Sequence, residues 1–340
     1  MNARLRGIAR SRVALLAASL LVATSPLACE RRESLVDAAA PATSVSAPLA
    51  SSSSTASAAP ASSTPERPVL ATEGCGAIMP LALRSAKSIG HTSVVFKLEL
   101  ETGQKLAWKP SSKRGKDRWR GEVAAAKLGD ALSISNVPPA CLRTYTIAQL
   151  TPLLPKGALD EVIANEDGSV SGAMIPWIEG LQFMGLEKEP LRTQSKEWLG
   201  AKDGGVPADK MNLAAQLSTL VVFDAITGNW DRYSGGNVGL DATGQRVLFI
   251  DNDAAFMEGA PAKDLAANVA RVEATQRFSR ALVKRLRALD VAKAFGTVPG
   301  GAPLLPEGML KTVSERIAKV LAIIDAKVAA RSEDDVLYFP

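Results

Sequence analysis

Asp231 and Asp251 are the residues whose types and spacing could do chemistry, and Asn237 lies between them. Asp231 stands in Thr227-Gly228-Asn229-Trp230-Asp231-Arg232, Asn237 follows Gly235-Gly236, and Asp251 stands in Phe249-Ile250-Asp251-Asn252. Two carboxylates and an amide drawn to one point suit a divalent cation and a phosphate better than they suit a core, where unpaired charge is costly.

The chain between them predicts the convergence. Residues 237–240 and 247–250 read as strands, and Asp241-Ala242-Thr243-Gly244 is rich in turn formers. Pairing Leu240 with about Val247 sets Asp251 roughly opposite Gly236 and Asn237, within a residue of register. Asp231 falls on the loop just before this hairpin.

Further upstream, residues 92–100 and 105–109 predict another hairpin, turning at Glu101-Thr102-Gly103-Gln104 and ending at Lys109-Pro110. After a charged loop, residues 119–132 carry Val123, Ala124, Leu128 and Leu132 near the helical period, with Glu122 in the first turn. Pro138-Pro139 stops any continuation. Residues 169–177 read as a strand. Residues 209–226 read as a long apolar helix with Asp209 as its cap and Leu213, Leu217, Leu220 and Phe223 on one side. Residues 263–331 are mostly helical. Strands first and helices later predict an α+β fold with a small β-rich lobe, about 69–176, and a larger helical lobe, about 177–340.

On this map four residues form a constellation. Phosphoryl transfer needs a Lys against nucleotide phosphate and a Glu to hold that Lys. It also needs an Asp to orient or deprotonate the acceptor hydroxyl, and a carboxylate for metal. Lys109, Glu122, Asp231 and Asp251 supply these types in that order. Taken singly, a Lys ending a strand is ordinarily solvated and a Glu at a helix start ordinarily offsets the dipole. Their joint order carries the reading.

These residues resemble a family. The run from Arg120-Gly121-Glu122-Val123-Ala124 to Leu132 and Val137-Pro138-Pro139 is similar to a helix of the secretory-pathway kinases, the four-jointed and Golgi casein kinase group. Ala107-Trp108-Lys109-Pro110 resembles that group's Lys-Pro strand end. Gly228-Asn229-Trp230-Asp231-Arg232 resembles its Gly-Asn-x-Asp-Arg loop, and Asp251-Asn252 with Phe256 its metal-binding Asp-Asn motif. The resemblance spans roughly residues 89–256.

The resemblance implies an atypical protein-kinase-like, two-lobed fold. It implies transfer of the γ-phosphoryl of ATP or another nucleoside triphosphate, with Mg²⁺ or Mn²⁺, to a hydroxyl of protein Ser/Thr or a glycan. Lys109 would contact the phosphates, and Glu122 would pair with it or help hold metal. Asp231 would be the catalytic base and Asp251 a metal ligand. The His-Arg-Asp, Asp-Phe-Gly and three-glycine signatures of ordinary protein kinases do not occur. Asn237 lies one residue further from Asp231 than in those kinases, and is read as a second metal ligand or as a turn residue satisfying the loop backbone. Gly90-His91-Thr92-Ser93 is the one candidate phosphate-covering loop. Trp177 falls where a linker between lobes would pass the base, or is an ordinary buried Trp. Arg232 either meets a phosphate or braces its loop, and Asp253 either assists Asp251 or caps a turn. The alternative readings are a nucleotide-binding pseudokinase and a non-catalytic cell-envelope lipoprotein.

The N-terminus predicts where such a protein works. Arg4, Arg6, Arg10 and Arg12 precede an apolar run at 13–23, too short to span a bilayer, which reads as an export signal ending near residue 28. Leu27-Ala28-Cys29 resembles the bacterial lipoprotein signal, although Pro26 replaces its usual Leu. Residues 29–68 then read as a lipidated Cys29 and an Ala/Ser/Thr/Pro tether. This predicts a lipid-anchored protein of the bacterial cell envelope. Of the formal charge of +5, the signal carries four arginines and no acid. The near-neutral remainder gives no electrostatic reason for binding nucleic acid. Cys75 and Cys141 are candidates for a disulfide. The single histidine, His91, excludes poly-His zinc sites and argues against a Ser-His-Asp hydrolase.

Overall fold

The computed structural model describes residues 82–90, 93–200 and 205–340. The segments predicted as an export signal and a tether, with Cys29, Cys75 and His91, lie outside them. Cys141 is disulfide-bonded, and the Cys75 expected as its partner is outside the described residues.

A five-stranded antiparallel sheet forms the smaller lobe, in the order β1-β2-β3-β5-β4. Its strands are β1 (Leu83–Ser88), β2 (Phe96–Leu100), β3 (Lys105–Pro110), β4 (Cys141–Thr146) and β5 (Ser169–Pro176). Alternation sorts the two faces of the sheet. Phe96, Leu98, Leu100, Leu106 and Trp108 are buried together with Tyr145, Val170 and Met174. Trp108 meets Tyr145 edge-on, with ring centroids 5.2 Å apart. Lys109, one residue on, therefore emerges on the opposite face, level with Ala173 of β5.

Between β3 and β4 runs α1 (Arg118–Ala131). It stops before the Pro138-Pro139 pair. Ser133 takes the left-handed conformation at φ 53°. Ser133 N donates to Asp130 O and Ile134 N to Gly129 O, the two bonds of a Schellman ending. Glu122 is accordingly in the second turn, with no acidic residue in the first. This corrects its predicted place and removes dipole compensation as its role.

The larger lobe is mainly helical, with α2 (Leu191–Gly200), α3 (Met211–Thr227), α4 (Ala262–Ala274), α5 (Arg280–Ala288) and α6 (Glu307–Ala330) as its principal helices. Nearly every residue of α3 from Leu217 to Thr227 is buried, so it is surrounded by protein rather than one-sided. Asp209 does not cap it: Asp209 belongs to a preceding 3₁₀ turn, Lys210 occupies the cap, and no side-chain bond closes the end. At its other end Gly228 adopts the left-handed conformation, φ 64°, and turns the chain into the Asp231 loop.

A three-stranded sheet, β6 (Gln182–Phe183), β7 (Val238–Leu240) and β8 (Val247–Phe249), lies beyond that loop. Leu240 pairs with Val247 and Val238 with Phe249, as the sequence predicts, which carries Asp251 round to Gly236. No helix among the described residues is long and apolar enough to cross a membrane.

Candidate active site

Lys109 joins the two acidic segments. Its ammonium donates to Glu122 Oε1 and to Asp251 Oδ1. Glu122 is 4% exposed, and its Oε1 also accepts from the backbone N–H of Asn252 at 2.9 Å. This reach depends on the residue before it. A Cβ on Gly121 would lie 2.6 Å from Asn252 O and 2.9 Å from Ala255 O, so only glycine lets α1 approach the 252–255 segment this closely. Asp251 itself is in the left-handed region at φ 56°, which Asp tolerates better than most residues.

Burial alone would lower the Lys109 pKa, but Glu122, Asp251 and Asp253 overcome it and hold the ammonium far above the ordinary lysine range. Burial likewise opposes ionisation of Asp251, and the Lys109 charge and hydrogen bond prevail to keep it below the usual carboxylate value. Asp253 goes the other way. Its burial, with Asp251 and Glu122 nearby, pushes it up to about 6 despite Lys109 and Arg118. Arg118 Nη2, at the start of α1, donates to Asp253 Oδ1 at 2.6 Å.

Arg232 organises the rest. It is 1% exposed and spends its whole guanidinium on protein. Nε donates to both oxygens of Asp224, at 3.1 and 3.2 Å. Nη1 donates to the carbonyls of Asn237 and Ile250, and Nη2 to Asn252 Oδ1 at 2.6 Å. Of its two sequence readings, the structure shows the brace. Burial pushes Asp224 up to about 6 against the pull of Arg232, so the pair is ionised at neutral pH.

Asp231 is half-buried, on a loop fixed from both sides. Asn229 Oδ1 accepts its N–H at 3.2 Å, and its carbonyl accepts from Asn237 Nδ2 at 2.7 Å and from Ser234 Oγ at 2.9 Å. Asn229 O in turn accepts from Asn268 Nδ2 at 2.9 Å. The amide nitrogen of Asn237 is thus committed to the Asp231 backbone. The structure brings Lys109, Glu122 and Asp251 into direct contact, and ties Asp231 to Asp251 through Arg232, which holds the chain beside each.

A cavity of about 720 Å³ opens beside Lys109, Glu122 and Asp251. Its walls are largely apolar, with Val95 just before β2, Ala107 of β3, Ile175 of β5, Trp177 just after it, and Leu181 and Ile250. Trp177 is a wall of this cavity, with the Lys97 ammonium 3.7 Å above its ring. Leu181 takes the place of a side chain on β7: its Cδ1 is 2.5 Å from where a Cβ on Gly239 would stand. An apolar slot ending in a Lys and two carboxylates can hold a flat base at one end and a polyphosphate at the other.

Sequence reasoning misses Arg118, Gly121 and Asp224 as parts of this site, and gives Asn252 only as half of the Asp-Asn motif. Gly121 is the readable one, as a glycine inside a helical pattern beside a charged residue.

The structure is similar to that of the Golgi casein kinase, with a TM-score of 0.56 and 12% identity over 78% of this chain and 76% of that one. A second structure of the Golgi casein kinase, with Mn/ADP bound, gives 0.57 and 12% over 78% of each chain. Fam20 of hydra, solved with sugar, gives 0.54 and 16% over 77% of this chain and 90% of its own. No family model and no curated protein matches the chain. In its α+β, two-lobed fold, the chain is similar to the secretory-pathway kinases that its motifs resemble.

Proposed function

We propose that the protein is a phosphotransferase that moves the γ-phosphoryl group of a nucleoside triphosphate, ATP or another, to a hydroxyl. The observation that carries this reading is the Lys109 ammonium held by Glu122 and Asp251 at the polar end of an apolar cavity. In this reading the base lies against Ala107, Trp177 and Leu181, and Lys109 meets the phosphates.

Glu122 and Asp251 offer hard carboxylate oxygens of the kind that Mg²⁺ or Mn²⁺ takes, with phosphate and water to complete the shell. A cation bound there would offset phosphate charge. The chain's own part in the transfer falls to Asp231, whose carboxylate accepts the proton of the acceptor hydroxyl. The acceptor oxygen forms a bond to the γ-phosphorus while the bond to the β-phosphate oxygen breaks. Asn237 Nδ2 braces that loop on the Asp231 carbonyl, and its Oδ1, the atom a metal takes, is read here as a second ligand beside Asp251. Mn/ADP in the Golgi casein kinase structure supports nucleotide and divalent metal as the cofactor pair. The acceptor is a protein Ser/Thr or a glycan hydroxyl. The export signal and Cys29 support work in the bacterial cell envelope, behind a lipid anchor.

Thermal stabilisation by nucleotide with Mg²⁺ or Mn²⁺, followed by turnover with and without Asp231→Ala, tests the reading. Stabilisation and Asp231-dependent turnover are expected. Stabilisation without turnover across a broad acceptor screen would identify a pseudokinase, and no stabilisation by any nucleotide would remove the site as drawn.

A further inference from the structure

The loop that carries Asp231 borders two cavities that share no lining residue. Gly236 lines the cavity beside Lys109 and Asp251. Tyr233 lines a second one, a groove of about 560 Å³ against α2, α3 and α4. An occupant of this groove therefore lies beside the Asp231 loop without entering the nucleotide space. The wall of the groove is bonded to that loop. Arg271 of α4 lies over the Tyr233 ring at 3.7 Å and donates from Nη1 to Asn268 Oδ1 at 2.8 Å. Asn268 Nδ2 donates in turn to Asn229 O at 2.9 Å, two residues before Asp231.

The chemistry of the groove selects what enters it. Its floor is apolar, with Leu186, Leu199 and Val221. Its rim is net positive: Lys196 of α2 and Arg271 form no ion pair with a described residue, Arg192 is taken by Glu189, and Glu187 is the one acid among the lining residues. A sugar seated on that floor would leave hydroxyls without partners, at a cost. An apolar side chain with an acidic group beside it satisfies both floor and rim.

Resting on the phosphotransferase reading, we propose that this groove docks the acceptor and that the acceptor is a polypeptide. A large apolar side chain near its Ser or Thr seats on Leu186, Leu199 and Val221, and an acidic group meets Lys196 and Arg271. Binding energy gathered away from the reacting atoms then holds the hydroxyl at Asp231.

The test is binding of labelled peptides to the whole protein in Mn²⁺ and ADP, read by fluorescence anisotropy. Each peptide carries a single Ser in a Gly/Ala background, with Phe at each flanking position in turn. One position is expected to bind about tenfold or more tightly than the Phe-free parent, the usual worth of apolar contact in such a pocket. Asp beside that Phe is expected to tighten binding further, and Lys196→Glu to turn this gain into a loss. Ala270→Trp, which fills the groove from an exposed position on α4, is expected to cancel the Phe preference. Turnover of the peptides with nucleoside triphosphate is expected to follow the same order. Equal binding of all peptides, a Phe preference that survives Ala270→Trp, or an Asp gain that survives Lys196→Glu would overturn the groove as the acceptor's dock, while Mn²⁺ with ADP still stabilises the protein. Failure of Mn²⁺ with ADP to stabilise it would instead overturn the phosphotransferase reading and the dock with it.

Discussion

Arg232 and Asp224 form an ion pair entirely inside the larger lobe, and through it the last turns of α3 hold both acidic segments of the site. The side chains are 0% and 2% exposed. A buried pair of this kind is strongly felt when one partner is removed, at about 3–5 kcal/mol. Arg232→Lys keeps the charge and loses the fork that spans Asp224, Asn237 O and Asn252 Oδ1. Because the charge is kept, chemical denaturation is expected to show a loss below that range, about 1–3 kcal/mol for the hydrogen bonds left unmade, and turnover is expected to fall further than stability alone accounts for. Unchanged stability would contradict the brace.

The same pair sets a pH dependence. Asp224 is pushed up to about 6 in the folded protein from an ordinary value of 3.8. Between about pH 4 and 6 the folded state therefore holds a proton that the unfolded state has released. That group favours folding below about pH 4, and its contribution is lost as pH rises through 6. Asp224→Asn removes this pH dependence. The stability difference between wild type and variant is expected to shrink by roughly 2–3 kcal/mol from pH 4 to pH 7, at about 1.4 kcal/mol for each tenfold change in proton affinity. A constant difference across that range would count against the assignment.

Gly121→Ala separates helix propensity from approach. In an isolated helix alanine is better than glycine by about 1 kcal/mol. Here the added methyl would meet two backbone carbonyls at 2.6 and 2.9 Å. The expected result is a destabilised protein whose nucleotide-induced thermal shift is reduced, because α1 backs away and Glu122 loses the Asn252 N–H. An increase in stability would show that α1 is free to move.

Asp231→Asn and Asp251→Asn should divide binding from chemistry. The first is expected to keep stabilisation by Mn²⁺ with ADP and lose turnover by about 10²–10⁴-fold, the usual range for a general base. The second is expected to lose both. Calorimetry beside a turnover assay reads the split, and equal behaviour of the two would undo the division of roles.

The cavity floor offers a steric test. Gly239→Val would collide with Leu181, whose Cδ1 lies 2.5 Å from the new Cβ, and push it into the cavity. Nucleotide affinity is expected to drop at least tenfold, and Leu181→Ala in the same chain is expected to restore part of it. No recovery in the double variant would mean that the loss arises elsewhere.

How far the sequence can be read follows from which forces are local. The β7–β8 hairpin is legible because turn residues and alternation both lie within the segment, and register follows from them. The small-lobe β4 is not, since Cys141–Thr146 has few apolar residues and is a strand through pairing with β5, remote in sequence. The end of α1 is predicted within one residue, at Leu132 against Ala131, although a left-handed Ser133 makes the turn where glycine is the usual signal. Lys109, Glu122 and Asp251 are recognisable by type and order. Arg118 and Asp224 are not, since an Arg and an Asp become parts of a site only when packing places their partners.

The position of α1 has a consequence for control. Its Val123, Ala124, Leu128 and Leu132 belong to the core of the larger lobe, together with residues of α3 and α6. Glu122, on the same helix, grips Lys109 of the sheet. Swinging this helix outwards to silence the site would tear open that core, at a cost of the order of several buried side chains, each about 1.5–3 kcal/mol. A resting form with the helix displaced is therefore not cheaply available to this architecture. If the protein transfers phosphoryl groups as proposed, this helix is a fixed wall of the site and not its switch.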